Sequence, residues 1–147
     1  MELLAYCGLY CGDCASYTGE ISTSAKKLKE ILHKRRFEKT SKLFPKVFKN
    51  YGEFTKMLNF MSNMNCSKIC RKKKKGEIVC SIWNCCRGKG YYACYECEIF
   101  VNCDKLSGLE NRHGDSCVKN LTAIKKMGFR KWVCKGKRLW FGSDIDK

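Results

Sequence analysis

The sequence predicts a mainly α-helical fold with an irregular, metal-stabilised, cysteine-rich region, and a small α+β fold is the alternative. Cysteine accounts for 13 of the 147 residues. Apolar residues recur at three- and four-residue spacing in the stretches 21–64 and 115–136. Between them, segment 66–103 has many Gly, Lys and Cys residues but few periodic apolar ones. The length suits a single domain, residues 1–147.

The cysteine content indicates either a disulfide scaffold in a secreted chain or metal ligation in a reducing compartment. The opening residues MELLAYC have neither the basic nor the apolar region of a signal peptide. No window approaches the ~20 apolar residues of a membrane span, and an odd number of cysteines cannot pair completely into disulfides. We therefore expect a cytoplasmic protein with no membrane segment, whose cysteines bind metal.

Three apolar stripes in the stretch 21–64 predict three helices with core-facing sides. Ser22, Thr23 and Ser24 are candidate N-caps for the first helix, and Pro45 suits the first turn of a second helix beginning near Leu43. The stripes are Ala25, Leu28, Ile31 and Leu32; Phe44, Val47, Phe48 and Tyr51; and Phe54, Met57, Leu58 and Met61.

The stretch 115–136 predicts a helical tail. Asp115 or Ser116 can cap a helix that ends at Gly128. Its apolar face consists of Cys117, Leu121 and Ile124, and a further turn is expected at Phe129, Trp132 and Val133.

Segment 66–103 is predicted to be a metal-binding cluster of loops and turns, with at most a brief strand at Glu77–Ile82. Four thiolates on two short-spaced pairs can surround one tetrahedral Zn(II) at ~2.3 Å. Cys94 and Cys97 form a CxxC pair, and Cys66 and Cys70 a CxxxC pair. The cysteines of the segment are Cys66, Cys70, Cys80, Cys85, Cys86, Cys94, Cys97 and Cys103.

The N-terminal motif, residues 7–14, adds Cys7, Cys11 and Cys14 in CxxxCxxC spacing. A radical enzyme with a [4Fe–4S] cluster shares this spacing, but the βαβ alternation of such a barrel is missing here. We expect these three thiols to recruit a fourth ligand from the cluster, and Cys66 and Cys70 to join two of the ligands between positions 80 and 97. Two structural zinc ions are predicted; sulfur ligands also suit an iron–sulfur cluster, which is the alternative.

The motifs CGLYCGDC at 7–14, CSIWNC at 80–85 and CYECEIF at 94–100 resemble the bacterial and archaeal family called domain of unknown function 3795. The resemblance implies zinc binding by the cysteines and no known reaction. Cys86, Cys117 and Cys134 lie outside the family pattern, and the three residues between Cys66 and Cys70 replace the usual two. The matching positions are Cys7, Cys11, Cys14, Cys66, Cys70, Cys80, Cys85, Cys94, Cys97 and Cys103.

The formal net charge of +16 suggests a polyanionic partner, either nucleic acid or an acidic protein. A basic run follows Cys70 directly, and Tyr91, Tyr92 and Tyr95 could stack on bases. The alternative is a solvated loop. The candidate nucleic-acid contacts are Arg71, Lys72, Lys73, Lys74 and Lys75.

The sequence leans against an enzyme, since it has no catalytic triad order, no phosphate-binding glycine loop and no paired carboxylates in a recognisable motif. His33 is expected on the polar side of a helix. His113 is expected in a solvated loop, with a spare metal ligand as the alternative. The leading hypothesis is a metal-binding module, and the competing one is an iron–sulfur or thiol redox protein using Cys94 and Cys97.

Overall fold

The computed structural model describes residues 3–141. Over this range the chain is mainly helical and has no strand beyond the single bridge between Leu4 and Tyr10, which confirms the predicted fold class. The range also has no helix long and apolar enough to cross a membrane. The helices are α1 Ala15–Thr18, α2 Glu20–Lys34, α3 Phe37–Leu43, α4 Tyr51–Ser62, α5 Ser81–Gly88, α6 Asp104–Ser107, α7 Glu110–His113, α8 Ser116–Met127 and α9 Phe129–Lys135.

The chain divides into two compact units. Unit 1 combines the N-terminal residues up to Cys14 with everything from Lys68 onward, and unit 2 is Ala15–Ser67. Unit 2 therefore interrupts unit 1 in the sequence. The single domain predicted for residues 1–147 stays a prediction, because compactness within each unit does not say whether the two fold together.

Unit 2 is built on α2 and α4, which pack against each other. Ala25 of α2 and Leu58 of α4 are its buried apolar side chains. Near the other end of the pair, the Ser22 hydroxyl donates a hydrogen bond to the side-chain oxygen of Asn65, and the Cys66 N–H donates to the Ser16 carbonyl at 2.8 Å. The ends of the unit are thus held next to each other.

Two predictions for unit 2 were wrong in detail. The helix α2 begins at Glu20, so Ser22, Thr23 and Ser24 lie inside it rather than capping it. The helix expected from Leu43 is a series of turns up to Asn50. Pro45 disfavours the helical conformation of Phe44, whose φ and ψ are −127° and 60°.

The predicted core-facing stripes of unit 2 are largely exposed. Of the α4 stripe only Leu58 is buried, while Phe54, Met57 and Met61 are exposed. Phe44 and Val47 of the second stripe are exposed as well. A regular apolar spacing shows that one face of a helix is apolar, but not that this face is buried. In unit 2 much of the apolar face lies away from the unit's own core.

Unit 1 has an apolar core in which α5 and α8 meet the N-terminal turn. Ile82 and Trp83 of α5 and Leu121 of α8 are almost fully buried in it together with Phe100. Segment 66–103 therefore supplies more core than its composition suggests. No strand forms over Glu77–Ile82, where the sequence predicted at most a brief one, and α5 begins at Ser81.

A second, smaller core of unit 1 surrounds Trp132 of α9. Trp132 packs with Leu4, Ala93 and Ile124, and its ring meets that of Tyr10 edge-on at 6.2 Å between centroids. The predicted helices of the tail are both confirmed. Gly128, with φ of +80°, separates them.

His113 is buried, so its expected place in a solvated loop was wrong. Its Nδ1 lies 2.7 Å from the Trp140 carbonyl oxygen, and its ring meets the Trp140 ring edge-on. Asn120 exchanges two hydrogen bonds with the backbone of Leu139, at 2.8 and 3.0 Å. The last described residues are therefore tied back onto α7 and α8.

Candidate metal centre: a thiol cluster in unit 1

Nine cysteines of unit 1 lie in or against its main apolar core, and we call them the thiol cluster. Three are buried and six are partly buried. They come from the N-terminal turn, from positions 70–103 and from α8. The fold therefore brings together thiols that are more than 100 positions apart in the sequence. The members are Cys7, Cys11, Cys70, Cys80, Cys86, Cys94, Cys97, Cys103 and Cys117.

The N-terminal turn positions Cys7. The backbone folds back through the bridge between Leu4 and Tyr10, with the Ala5 N–H donating to the Leu9 carbonyl at 2.8 Å. Gly8 has φ of +92°, and a Cβ at this position would lie 2.6 Å from the Leu121 Cγ and 2.9 Å from the Cys117 carbonyl. Only glycine therefore allows the turn to approach α8 this closely.

Both CxxC pairs of unit 1 enclose a single 3-10 turn. The Cys14 N–H donates to the Cys11 carbonyl at 3.1 Å, and the Cys97 N–H donates to the Cys94 carbonyl at 3.0 Å. The second turn is tied to the N-terminal one because the Cys94 N–H donates to the Tyr6 carbonyl at 2.9 Å. The two motifs thus share the short turn found in metal knuckles, and the second keeps both of its thiols in the cluster.

Helix α5 carries the deepest thiol. Cys86 follows Ile82 by four residues and Trp83 by three, so all three lie on the buried face. The Trp83 indole N–H donates to the Cys70 carbonyl at 3.0 Å, which holds the turn containing Cys70 against this helix. Cys86 Sγ lies 3.4 Å from Cys94 Sγ.

Arg71, the residue after Cys70, points into unit 1. Its guanidinium donates to the carbonyls of Leu4 and Tyr92, the second at 2.7 Å. It also lies over the rings of Tyr6 and Tyr92, at 4.5 and 4.0 Å from their centroids. These four contacts hold Arg71, the first residue of the basic run, against the N-terminal turn.

Four buried or partly buried thiols of the cluster form two hydrogen-bonded pairs. The bond between Cys86 and Cys94 lowers the pKa of Cys86 and raises that of Cys94. The bond between Cys7 and Cys117 raises the pKa of Cys7 and lowers that of Cys117. In each pair one S–H stabilises a thiolate on its neighbour, so the first proton leaves more easily than the second. Burial raises the pKa of Cys70.

The donor chemistry of the cluster fits a thiophilic metal, since its polar groups are sulfurs. Two thiolates on a tetrahedral zinc, each at ~2.3 Å, are ~3.8 Å apart, and the Cys86–Cys94 separation of 3.4 Å is close to that value. Over residues 3–141, however, no three His, Cys, Asp or Glu side chains are arranged to hold an ion as they stand. Rotation of further cluster thiols is needed to complete a ligand set.

The thiol cluster brings together most of the predicted ligands and leaves three outside. Cys14 and Cys85 are partly exposed and do not belong to it, and Cys66 belongs to unit 2. Two cysteines outside the predicted set, Cys86 and Cys117, are buried within it. Their signal in the sequence was helical spacing with apolar residues, which places a cysteine on an inward face.

The ligand roles of the ten predicted cysteines remain predictions. No curated protein and no solved structure matches the chain. A family match covers residues 3–108, a range that takes in the N-terminal turn, α5 and both CxxC turns. The chain belongs to the family described as a protein of unknown function, DUF3795.

Proposed function

We propose that unit 1 is a thiolate metal-binding module that takes Zn(II) in structural sites. The observation that supports this proposal is the convergence of nine thiols in one core, with the Cys86 and Cys94 sulfurs 3.4 Å apart. Zinc supplies two positive charges that stabilise buried thiolates. With nine thiols near one core, two ions of four ligands each remain the expected number.

The two hydrogen-bonded pairs are the natural starting points for the sites. Cys86 and Cys94 would contribute two ligands of one, and Cys7 and Cys117 two ligands of the other. Cys11, Cys70, Cys80, Cys97 and Cys103 are the cluster members from which the remaining ligands come. This assignment differs from the pairing predicted from spacing, since it includes Cys86 and Cys117 and omits Cys66.

Metal analysis of the anaerobically purified full chain tests the proposal. We expect about two equivalents of zinc and no absorption near 400 nm, the region in which an iron–sulfur cluster absorbs. Replacing Cys86 with serine should reduce the zinc content. Cys134→Ser is the matched control, because Cys134 is exposed and outside the cluster. Protein that holds no metal, or equal metal contents in the two variants, would contradict the proposal.

A thiol redox function is the second candidate, supported by the Cys86–Cys94 contact. Oxidation by a disulfide such as oxidised glutathione would join the two sulfurs, release two reduced thiols and need an approach from 3.4 Å to ~2.05 Å. Both thiols are buried, which restricts the access of an oxidant. A mass loss of two hydrogens confined to this pair, in metal-free protein as isolated, would favour this candidate over zinc.

The nucleic-acid prediction stays a prediction for Lys72–Lys75. The Arg71 guanidinium is already engaged by two carbonyls and two rings, so we no longer expect it to contact phosphate. Replacing the four lysines with glutamine should flatten the dependence of log affinity on log salt by roughly 0.7–0.9 per lost phosphate contact. An unchanged slope would assign any binding to other lysines.

A further inference from the structure

Unit 2 contains an apolar groove along the α2–α4 pair that its own core does not use. Its first part is a cavity of about 390 Å³, whose wall includes Leu28, Phe37, Phe48 and Phe54. Its second part, about 340 Å³, is lined by apolar residues that include Ile21, Leu28 and Met61, with Glu20 as the one charged residue among the described residues of its lining. Leu28 lines both parts, and both parts lie along the α2–α4 pair.

The groove has the length and the apolar lining expected of a binding site for a helix. Ile21 and Leu28 are seven residues apart on α2, as are Phe54 and Met61 on α4, and seven residues span ~10.5 Å of helix. Leu28 is 41% exposed and Phe54 is 38% exposed although both line cavities. Apolar anchors repeated along a helix would fill such a groove.

The charge of the residues around the groove indicates the charge expected of a partner. Unit 2 has eleven Lys and Arg residues against four Glu. Lys27 and Lys34 stand four residues before and three residues after Ile31, which places them along one flank of α2, and Lys27 directly precedes the groove residue Leu28. Lys46 is exposed beside Val47, a groove residue that is itself 75% exposed. An acidic flank on the partner would complement this rim.

Other occupants fit less well. Two copies of unit 2 would bring like charges together. A bilayer is flat, whereas the groove is concave. Nucleic acid needs open ring faces for stacking, but the rings of Phe37, Phe48 and Tyr51 pack against one another, at 5.4 to 6.5 Å between centroids. We propose that this groove binds an acidic amphipathic helix of a protein partner, independently of the metal proposal for unit 1.

The test uses the full chain and a fluorescein-labelled 18-residue peptide of Leu, Ala and Glu, with Leu at i, i+3, i+4 and i+7 and Glu on the remaining face. Fluorescence anisotropy at 150 mM salt should show saturable binding in the micromolar range. A peptide with Lys in place of Glu should bind at least about tenfold more weakly, because it meets the basic rim.

Phe54→Gln should weaken binding of the acidic peptide about tenfold, as expected for an apolar anchor. Phe60→Gln is the matched control: Phe60 lies on the same helix and is 71% exposed, but it lines neither part of the groove. Leu28→Gln repeats the test from α2, in case Phe54→Gln disturbs folding by far-UV circular dichroism. Lys27→Glu should weaken binding more than Lys26→Glu, which makes the same charge change on the other side of α2.

Absence of saturable binding below ~100 μM would overturn the proposal. So would equal effects of Phe54→Gln and Phe60→Gln, because the peptide would then bind elsewhere. Binding to vesicles of 30% phosphatidylglycerol in phosphatidylcholine, without binding to the peptide, would assign the surface to membranes instead. Self-association in sedimentation experiments that Phe54→Gln abolishes would assign it to a second copy.

Discussion

The two units use apolar side chains in opposite ways. Unit 1 buries Trp83, Leu121 and Trp132 in its two cores. The buried residues of unit 2 are mostly small, namely Ser22, Ala25, Ser41, Leu58 and Ser62. Many of its large apolar residues are exposed, including Phe44, Val47, Met57 and Phe60. Similar apolar spacing therefore stabilises one unit internally and leaves the other with a surface suited to binding.

The largest expected difference between the units is in the stability that each loses when metal is removed. All three tryptophans lie in unit 1, so tryptophan fluorescence reports on it alone. Because ligation free energy is folding free energy, chelation under reducing conditions should destabilise unit 1 by more than ~5 kcal/mol. The tryptophan signals should be lost while helicity from α2 and α4 remains.

Zinc added back should restore the signals. If the near-UV spectrum survives complete metal removal, the apolar cores suffice and the metal is accessory.

The second prediction compares truncations in the two units. Leu121→Ala should lower the free energy of unfolding by ~4 kcal/mol, since Leu121 is fully buried. Phe54→Ala should cost under ~1 kcal/mol because Phe54 contributes mainly to the groove. Urea denaturation measures both losses when it is followed by tryptophan fluorescence, which reports on unit 1, and by far-UV circular dichroism, which reports on the helices of both units. Equal losses would remove the contrast between the units.

The third prediction concerns the N-terminal turn. Gly8→Ala should cost ~3 kcal/mol, because the new Cβ would be strained by the positive φ and would also meet Leu121 and the Cys117 carbonyl. Gly76→Ala is the control: its φ is +93°, but a Cβ there meets nothing within 4 Å. It should cost ~1 kcal/mol. Similar losses for the two variants would mean that α8 moves aside readily.

The smallest predicted effect tests the Arg71 contacts. Arg71→Lys keeps the charge but loses the planar guanidinium, and it should cost ~1–2 kcal/mol. Lys74→Gln, an exposed position in the same basic run, should change the free energy of unfolding by less than ~0.5 kcal/mol. Chemical denaturation of the two variants gives the comparison. A stability of Arg71→Lys equal to that of wild type would return Arg71 to the candidate phosphate contacts.

The sequence predicted the helical class and the tail helices because their signals are local. The apolar spacing of Cys117, Leu121 and Ile124, followed by Gly128, indicates one helix and one inward face. The sequence could not predict how far the apolar stripes of unit 2 are buried, because periodicity identifies the apolar face of a helix but not what covers that face. His113 was misplaced for a related reason, because its partner Trp140 is distant in the sequence.

The same distinction applies to the thiol cluster. Spacing identified the CxxC pairs, whose backbone geometry is confined to four residues. The contact between Cys7 and Cys117 depends on a turn and a helix 110 positions apart, and no local pattern contains it. Long-range partners of this kind follow only from the tertiary fold.

The interruption of unit 1 by unit 2 has a consequence for the order of events during synthesis. Unit 2 is synthesised in full before most of unit 1. Cys7 and Cys11 are therefore made well before the other members of the thiol cluster. Closing a flexible loop of about 50 residues costs ~3 kcal/mol of chain entropy. The bond between Cys66 and Ser16 joins the ends of unit 2, so its early folding would bring Cys14 and Lys68 near each other and remove most of that cost. Early folding of unit 2 would therefore favour the assembly of unit 1.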